Sequence, residues 1–364
     1  MKIAAVTQYL ESISPLPLQE DYDNCGLLLG NPEADITKAL LCLDLTPEVM
    51  NEAILRQCNL IISHHPFIFK GLKKLTRGLP ETTILTEAIR NDVAIYAIHT
   101  NLDNTPHGLN AWVLNQLGIT RYRILSPKRG LLVKLVVFCP VGQAEEVRKA
   151  MFEAGAGQIG NYDCCSYNSL GDGTFRASDL ASPFVGEKNT LHVEPETKIE
   201  VIFPQYLESG ILKAMLAAHP YEEVAYDLIP LNNELKDAGA GLIGELDETS
   251  DEAAFLRLVK KNLDIPVVRH TPFLLKPLKR VALCTGSGSF LIREAISAKA
   301  DIFLTADLKY HDFFDMENKI LLADIGHYES EQGVKEWLYA ALTEKFPNFA
   351  FLISEVNTNP VHYL

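Results

Sequence analysis

Asn59-Leu60-Ile61-Ile62-Ser63-His64-His65-Pro66 is the stretch from which the rest of the chain can be read. An apolar run rich in β-branched residues and closed by a turn signal reads as a buried strand. Its end carries two adjacent histidines. In open α/β sheets, ligands gather in the crevice beyond the carboxyl ends of the strands. Neighbouring residues on an extended chain point to opposite sides, so this pair can serve two ligands side by side. Taken alone, two histidines at a strand end are more often half-buried caps, and any stronger reading has to come from the rest of the chain.

Outward from that strand the same rhythm repeats. Residues 2–13 have helical apolar spacing, stopped by Ser14-Pro15-Leu16-Pro17, and Asp23 to Gly30 is a turn feeding a short strand. Residues 39–43 form a strand, and Thr46 with Pro47 caps a helix to about residue 57. A helix over 82–91 precedes a strand over 93–98 that ends in His99-Thr100-Asn101-Leu102-Asp103, and residues 109–117 are helical with Gly118 as the stop. Strands alternating with helices at this spacing predict βαβ units and a largely parallel sheet. From residue 130 the pattern changes. A strand over 134–138, a helix over 143–154, glycine-rich strands over 159–167 and 173–177 with a turn at Asp172-Gly173, a strand over 198–203, a helix over 207–218 and a strand over 224–231 make a ferredoxin-like α+β unit. After residue 238 the first pattern resumes, with helices over 255–263 and 291–299 and strands over 280–285, 301–305 and 319–325. The fold expected is α/β with a discontinuous main domain (1–129 and 236–364), its C-terminal piece completing the sheet of the N-terminal piece, and an inserted α+β domain over 130–235.

Composition excludes several classes. With 364 residues and 47% of them hydrophobic, the chain can bury a large core. Its 33 Lys and Arg against 47 Asp and Glu leave a formal charge of −14, which repels phosphate backbones and makes nucleic acid a poor partner. Seven cysteines, an odd number with no Cys-x-x-Cys, fit no disulfide framework. The opening residues start like a signal peptide, but Gln8 and Glu11 break it, and no apolar run approaches spanning length. A cytoplasmic protein with no membrane partner is expected.

Three strands end in metal-ligand residue types: His64 and His65, then His99 and Asp103, then His327 and Glu331 after the strand over 319–325. The last two pairs are four residues apart, which places both side chains on one face of a helical turn. One such pair is common by chance; three, each directly after an apolar strand of one sheet, are not. Imidazole with carboxylate suits zinc, iron or manganese and disfavours calcium and magnesium. Six candidate ligands are more economically used by two bridged ions than by one crowded ion.

Ser63-His64-His65-Pro66, His99-Thr100-Asn101-Leu102-Asp103, Thr305-Ala306-Asp307-Leu308-Lys309-Tyr310-His311 and Gly326-His327-Tyr328-Glu329-Ser330-Glu331 together resemble the signatures of the NIF-three-like dinuclear-metal family, also named type 2 GTP cyclohydrolase homologues. The resemblance spans the whole chain, including an insert like the PII- or CutA-like domain of the longer bacterial members. It implies two divalent metal ions per chain, with His64, His65, Asp103, His327 and Glu331 as ligands. Asp103 would join His65 on one ion, His327 would join His64 on the other, and Glu331 would bridge. His99 and His311 would line the site as catalytic or supporting residues. It further implies homohexamers with the sites facing an internal cavity, and hydrolysis by a metal-bridging hydroxide, as in opening of the purine ring of GTP. Ala306 departs from the glycine common in the family and leaves the ligand set untouched.

The alternative is a non-enzymatic, oligomeric metal-binding or regulatory protein that binds a small ligand or a protein partner. Gly286-Ser287-Gly288-Ser289 at a strand-to-helix turn can expose N–H groups to a phosphate, but it lacks the spacing and lysine of a P-loop, so a tight turn is at least as good a reading.

Overall fold

Residues 1–76, 78–314 and 319–364 are described by the structure, a computed structural model. The elements in chain order are α1 (Ile3–Ile13), β1 (Gly26–Leu29), β2 (Ala39–Cys42), α2 (Pro47–Leu55), β3 (Leu60–Ser63), α3 (Pro80–Arg90), β4 (Ala94–Ala97), α4 (Thr100–Asp103), α5 (Leu109–Gln116) and β5 (Tyr122–Arg129). Then follow β6 (Leu132–Pro140), α6 (Ala144–Glu153), β7 (Tyr167–Phe175), β8 (His192–Pro204), α7 (Glu208–Ala218) and β9 (Tyr226–Leu231). The remainder comprises β10 (Glu234–Ser250), α8 (Glu252–Asn262), β11 (Arg269–His270), β12 (Leu278–Ser287), α9 (Ile292–Ser297), β13 (Ile302–Ala306), β14 (Leu321–Asp324), α10 (His327–Glu331), α11 (Val334–Lys345) and β15 (Phe351–Ile353). The chain divides into two compact units: Met1–Ser126 with Asp237–Leu364, and Pro127–Lys236.

The first unit holds two sheets. One has the order β1-β4-β3-β2-β15, parallel except for β1 at its edge. Every residue of β2, β3 and β4 is buried, because helices cover both faces. Leu41, Leu60, Ile62 and Tyr96 share a core with α1 and α11, while Leu40, Ile61 and Ile95 share one with α2 and α3. Two-sided burial is why these strands read as unbroken apolar runs rather than alternating ones. The other sheet has the order β11-β14-β13-β12-β10-β5, with β12, β13 and β14 parallel. The expectation of one sheet is corrected here. Strand β15 does join β2, but β12–β14 pair with one another and with β10 and β11 in a sheet of their own. Trp112 of α5 packs against the cores of both sheets. A Cβ added at Gly333 would overlap its indole ring, so the glycine before α11 makes room for this tie.

The second unit is one antiparallel sheet of order β7-β8-β6-β9. Val147 and Met151 of α6 and Ile211 and Met215 of α7 share a core with Leu135, Val137, Ile199 and Val201. Strands at 159–167 and 173–177 give way to the single strand β7, which pairs with β8 from Tyr167↔Glu200 to Phe175↔His192 and runs straight through Asp172-Gly173. A Cβ at Gly173 would overlap the Glu196 carboxylate; the glycine marks a close approach within a strand, not a turn. No helix among the described residues is long and apolar enough to cross a membrane.

Candidate metal centre

The ladder of β2 and β3 continues past the strand end: the His64 and His65 amides donate to Cys42 O (3.1 Å) and Leu43 O (3.0 Å). Consecutive amides bonding the same neighbour break strand alternation, and the two rings come to lie 5.1 Å apart. His64 is fully buried, whereas His65 reaches a 530 Å³ cavity also lined by His99, Asp103, His327 and Glu331. His99 precedes α4 and its amide donates to Asn101 Oδ1 (3.0 Å), while Asp103 closes that short helix. From the second sheet, Gly326 turns β14 into α10 with φ +81°, and α10 carries His327 and Glu331 one turn apart.

Each of the four imidazoles has its Nδ1 held from behind. His64 Nδ1 is 2.7 Å from Ile98 O, His65 Nδ1 2.7 Å from Asp44, His99 Nδ1 2.8 Å from Asp23, and His327 Nδ1 2.7 Å from Asp307. A carbonyl or carboxylate at Nδ1 fixes the proton there and leaves the Nε2 lone pair for a metal, the arrangement that orients metal-binding histidines. The Nε2 atoms of His65 and His327 each lie 3.0 Å from Glu331 Oε2, and His64 Nε2 lies 3.8 Å from Asp103 Oδ1. None of these approaches has hydrogen-bond geometry, and His64 Nε2, Asp103 Oδ1 and Glu331 Oε2 are buried without a hydrogen-bond partner. Orphaned buried polar atoms are costly. Donors roughly 2.0–2.1 Å from a tetrahedral zinc stand roughly 3.3 Å from each other, so the observed spacings bracket what an ion requires. Among the described residues two groups of donors have their ligand atoms within 4.8 Å of one another, His64 with His65 and His99, and His65 with His327 and Glu331. The residues present fit a divalent metal.

Asp103 stands beside His64, and His327 beside His65. His311 sits on an exposed turn with its ring against Tyr310 and Phe314, and does not line this cavity.

The sequence profile of the Duf34/NIF3 (NGG1p interacting factor 3) family matches residues 1–360. The chain belongs to this family. The protein of Halalkalibacterium halodurans named GTP cyclohydrolase 1 type 2 homolog is 38% identical over 372 residues, covering 100% of each chain. A Bacillus cereus crystal structure, of a protein described as related to NIF3, superposes with a TM-score of 0.84 at 36% identity over 100% of this chain and 99% of that one. A Staphylococcus aureus structure gives 0.77 and 31%, with the same coverage.

Electrostatics within this DUF34/NIF3 site separate the histidines. Burial pushes His64 down to about 3, so its imidazole is neutral. Burial also lowers His65 and His327, but the hydrogen bond His65 donates to Asp44 and the Glu331 charge lift His65 to about 10. Glu331 and Asp307 lift His327 to about 9. Burial raises both carboxyls. For Glu331 the imidazoles of His327 and His65 outweigh it and hold the group well below its usual range, whereas for Asp103 the nearby Glu331 charge adds to it and holds the group well above. The metal-free chain near neutral pH therefore stores protons on His65 and His327. Metal ligands must be deprotonated, so uptake is expected to release about two protons per chain. Apparent affinity should rise with pH until about 9 to 10, where His327 and His65 lose their protons unaided. Indicator dye in weakly buffered protein measures the release; uptake without it would place the metal elsewhere.

Several residues of the site carried no role in the sequence reading. Asp23, Asp44 and Asp307 lie 76, 21 and 20 residues from the histidines they hold, so no local spacing reveals them. Asp307 adopts φ +56°, a left-handed conformation tolerated by aspartate. Gly286 has a different function from the phosphate turn considered for it. Its φ is +61°, and an added Cβ would overlap Glu331 Oε1. Its amide donates to Ser330 Oγ (3.0 Å). The glycine is the floor on which Glu331 rests.

Proposed function

We propose that this chain is a metal-dependent hydrolase with two divalent ions, zinc, iron or manganese, one held by His65, His327 and Glu331 and the other by His64 and Asp103 with His99 beside them. The observation that carries the reading is the set of four imidazoles, each tied at Nδ1, converging on two carboxylates that each have a buried, orphaned oxygen. Bound there, the ions would supply an acidic water and positive charge for a developing anion. The protein's part is to hold the donors in place and shape the cavity. Asp23 keeps the His99 Nδ1 proton in place, which leaves Nε2 free to take and return a proton at the cavity wall. Tyr22, Phe69 and Phe290 form apolar walls that limit water around a bound substrate. The name carried by the relatives makes GTP the first substrate to test.

The same reading takes the protein as a cytoplasmic homohexamer whose sites face an internal cavity, with an inserted PII- or CutA-like domain; the β-α-β-β-α-β order and strand arrangement of the second unit support the latter. The test is a screen of nucleotide, phosphoester and peptide hydrolysis by metal-loaded protein beside Asp103→Ala. About two metal equivalents per chain and turnover lost in Asp103→Ala are expected. Turnover that survives the substitution, or a single equivalent by elemental analysis, overturns the two-ion mechanism.

A further inference from the structure

After β15 the chain has no regular secondary structure, yet residues 354–359 are held by specific side-chain bonds. Ser354 N donates to Leu41 O (2.9 Å) and Glu355 N to Glu52 Oε1 (3.0 Å), laying the segment along the ends of the first sheet. Asn357 Oδ1 then accepts from Asn359 N (2.9 Å), and Asn359 Oδ1 accepts from Val361 N (3.0 Å), two successive side-chain turns that set the path. Between them, two consecutive side chains reach the two halves of the candidate centre. Thr358 Oγ1 donates to Asp44 Oδ2 (2.7 Å), the carboxylate whose other oxygen holds His65. Asn359 Nδ2 donates to Glu329 Oε1 (3.0 Å), a buried carboxylate on α10 between His327 and Glu331.

We propose that this C-terminal segment is a built part of the metal centre, with Thr358 and Asn359 as positioning residues for its two halves. With one oxygen on His65 and the other on Thr358, the Asp44 carboxylate cannot rotate, and the imidazole plane is fixed with it. The case for Asn359 is independent. A helix of five residues is not stable by itself, so the orientation of α10, and of the two ligands it carries, depends on bonds from outside it. Asn359 supplies one at Glu329 on the solvent side, as Gly286 does at Ser330 on the other.

The inference rests on the metal reading above, and the experiment separates the two. Metal-free wild type, Thr358→Val, Thr358→Ser and Asn359→Leu are titrated with cobalt(II), following the visible bands and the equivalents bound. Supporting partners of metal ligands typically contribute about 10- to 100-fold in affinity. Thr358→Val should weaken one cobalt site by that factor with shifted bands, and Thr358→Ser, which keeps the hydroxyl, should restore both. Asn359→Leu should weaken the site carrying His327. A merely structural role would lower the melting temperature and leave the cobalt spectrum unchanged. Wild-type affinity and bands in both Thr358→Val and Asn359→Leu overturn the proposal alone. Wild type that takes up no cobalt overturns the metal reading, and this inference with it.

Discussion

Glu331→Gln should lose metal by about 100-fold or more in affinity, on the scale of the ~3–5 kcal/mol that follows removal of one member of a buried ion pair. Among the described residues Glu331 is the only carboxylate in contact with the imidazole nitrogens of both His65 and His327, at 3.0 Å from each. The amide is nearly isosteric, so packing is kept while the charge is lost. A second consequence separates this from simple destabilisation. In the metal-free chain the carboxylate helps hold His65 near 10 and His327 near 9. Groups raised in the fold stabilise it fully below their unfolded value of about 6.5, and that stability is lost as pH rises through the folded values. In wild type, metal-free stability should therefore fall from neutral pH toward about 10. In Glu331→Gln the decline should be smaller for His65, which keeps Asp44, and smaller still for His327, which keeps Asp307 but loses its largest upward cause. Melting curves of metal-free protein across pH, with elemental analysis of loaded protein, measure both. A variant that binds metal like wild type would remove Glu331 from the centre.

Gly286→Ala should be as damaging, through a single methyl group. Two costs combine. An L-residue at φ +61° costs about 1–2 kcal/mol, and the new Cβ would occupy the position of Glu331 Oε1 and crowd His327 Nε2 at 3.4 Å. Gly118→Ala separates the two. Gly118 has φ +77° with no atom within 4 Å of an added Cβ, so it carries the backbone cost alone. Gly118→Ala should lower stability by about 1–2 kcal/mol with metal content unchanged. Gly286→Ala should lose stability and metal together. Equal metal content in the two variants would show that Gly286 is needed for its backbone conformation and not as the floor of the site.

Apolar runs with β-branched residues identified β2, β3 and β4 directly, since helices on both faces leave no polar positions to blur the pattern. The Thr46-Pro47 start of α2 was equally plain, because a cap is a local bond between neighbours, here from Val49 N to Thr46 Oγ1. Strand partners were not legible. Nothing in Phe351-Leu352-Ile353 says that it pairs with Ala39–Cys42 across three hundred residues, or that β12 to β14 form a sheet of their own. In the second unit Asp172-Gly173 read as a turn, because a glycine that yields to a distant carboxylate looks in sequence like one that bends the chain.

The sequence by itself determined where the chain leaves its strands and which side chains stand there: His64 and His65, His99 and Asp103, His327 and Glu331. These are facts of local spacing, because strand alternation and the helical turn are set by the backbone within a few residues. Tertiary structure alone decided that two sheets, not one, bring these ends together, that His64 faces Asp103 while His65 and His327 share Glu331, and that Asp23, Asp44 and Asp307 hold the rings from behind. It also decided that Gly286 makes room for Glu331 and that Thr358 completes the setting of Asp44. Each of these is a contact between distant segments, fixed by how sheets and helices pack, and packing is a property that neighbouring residues do not encode.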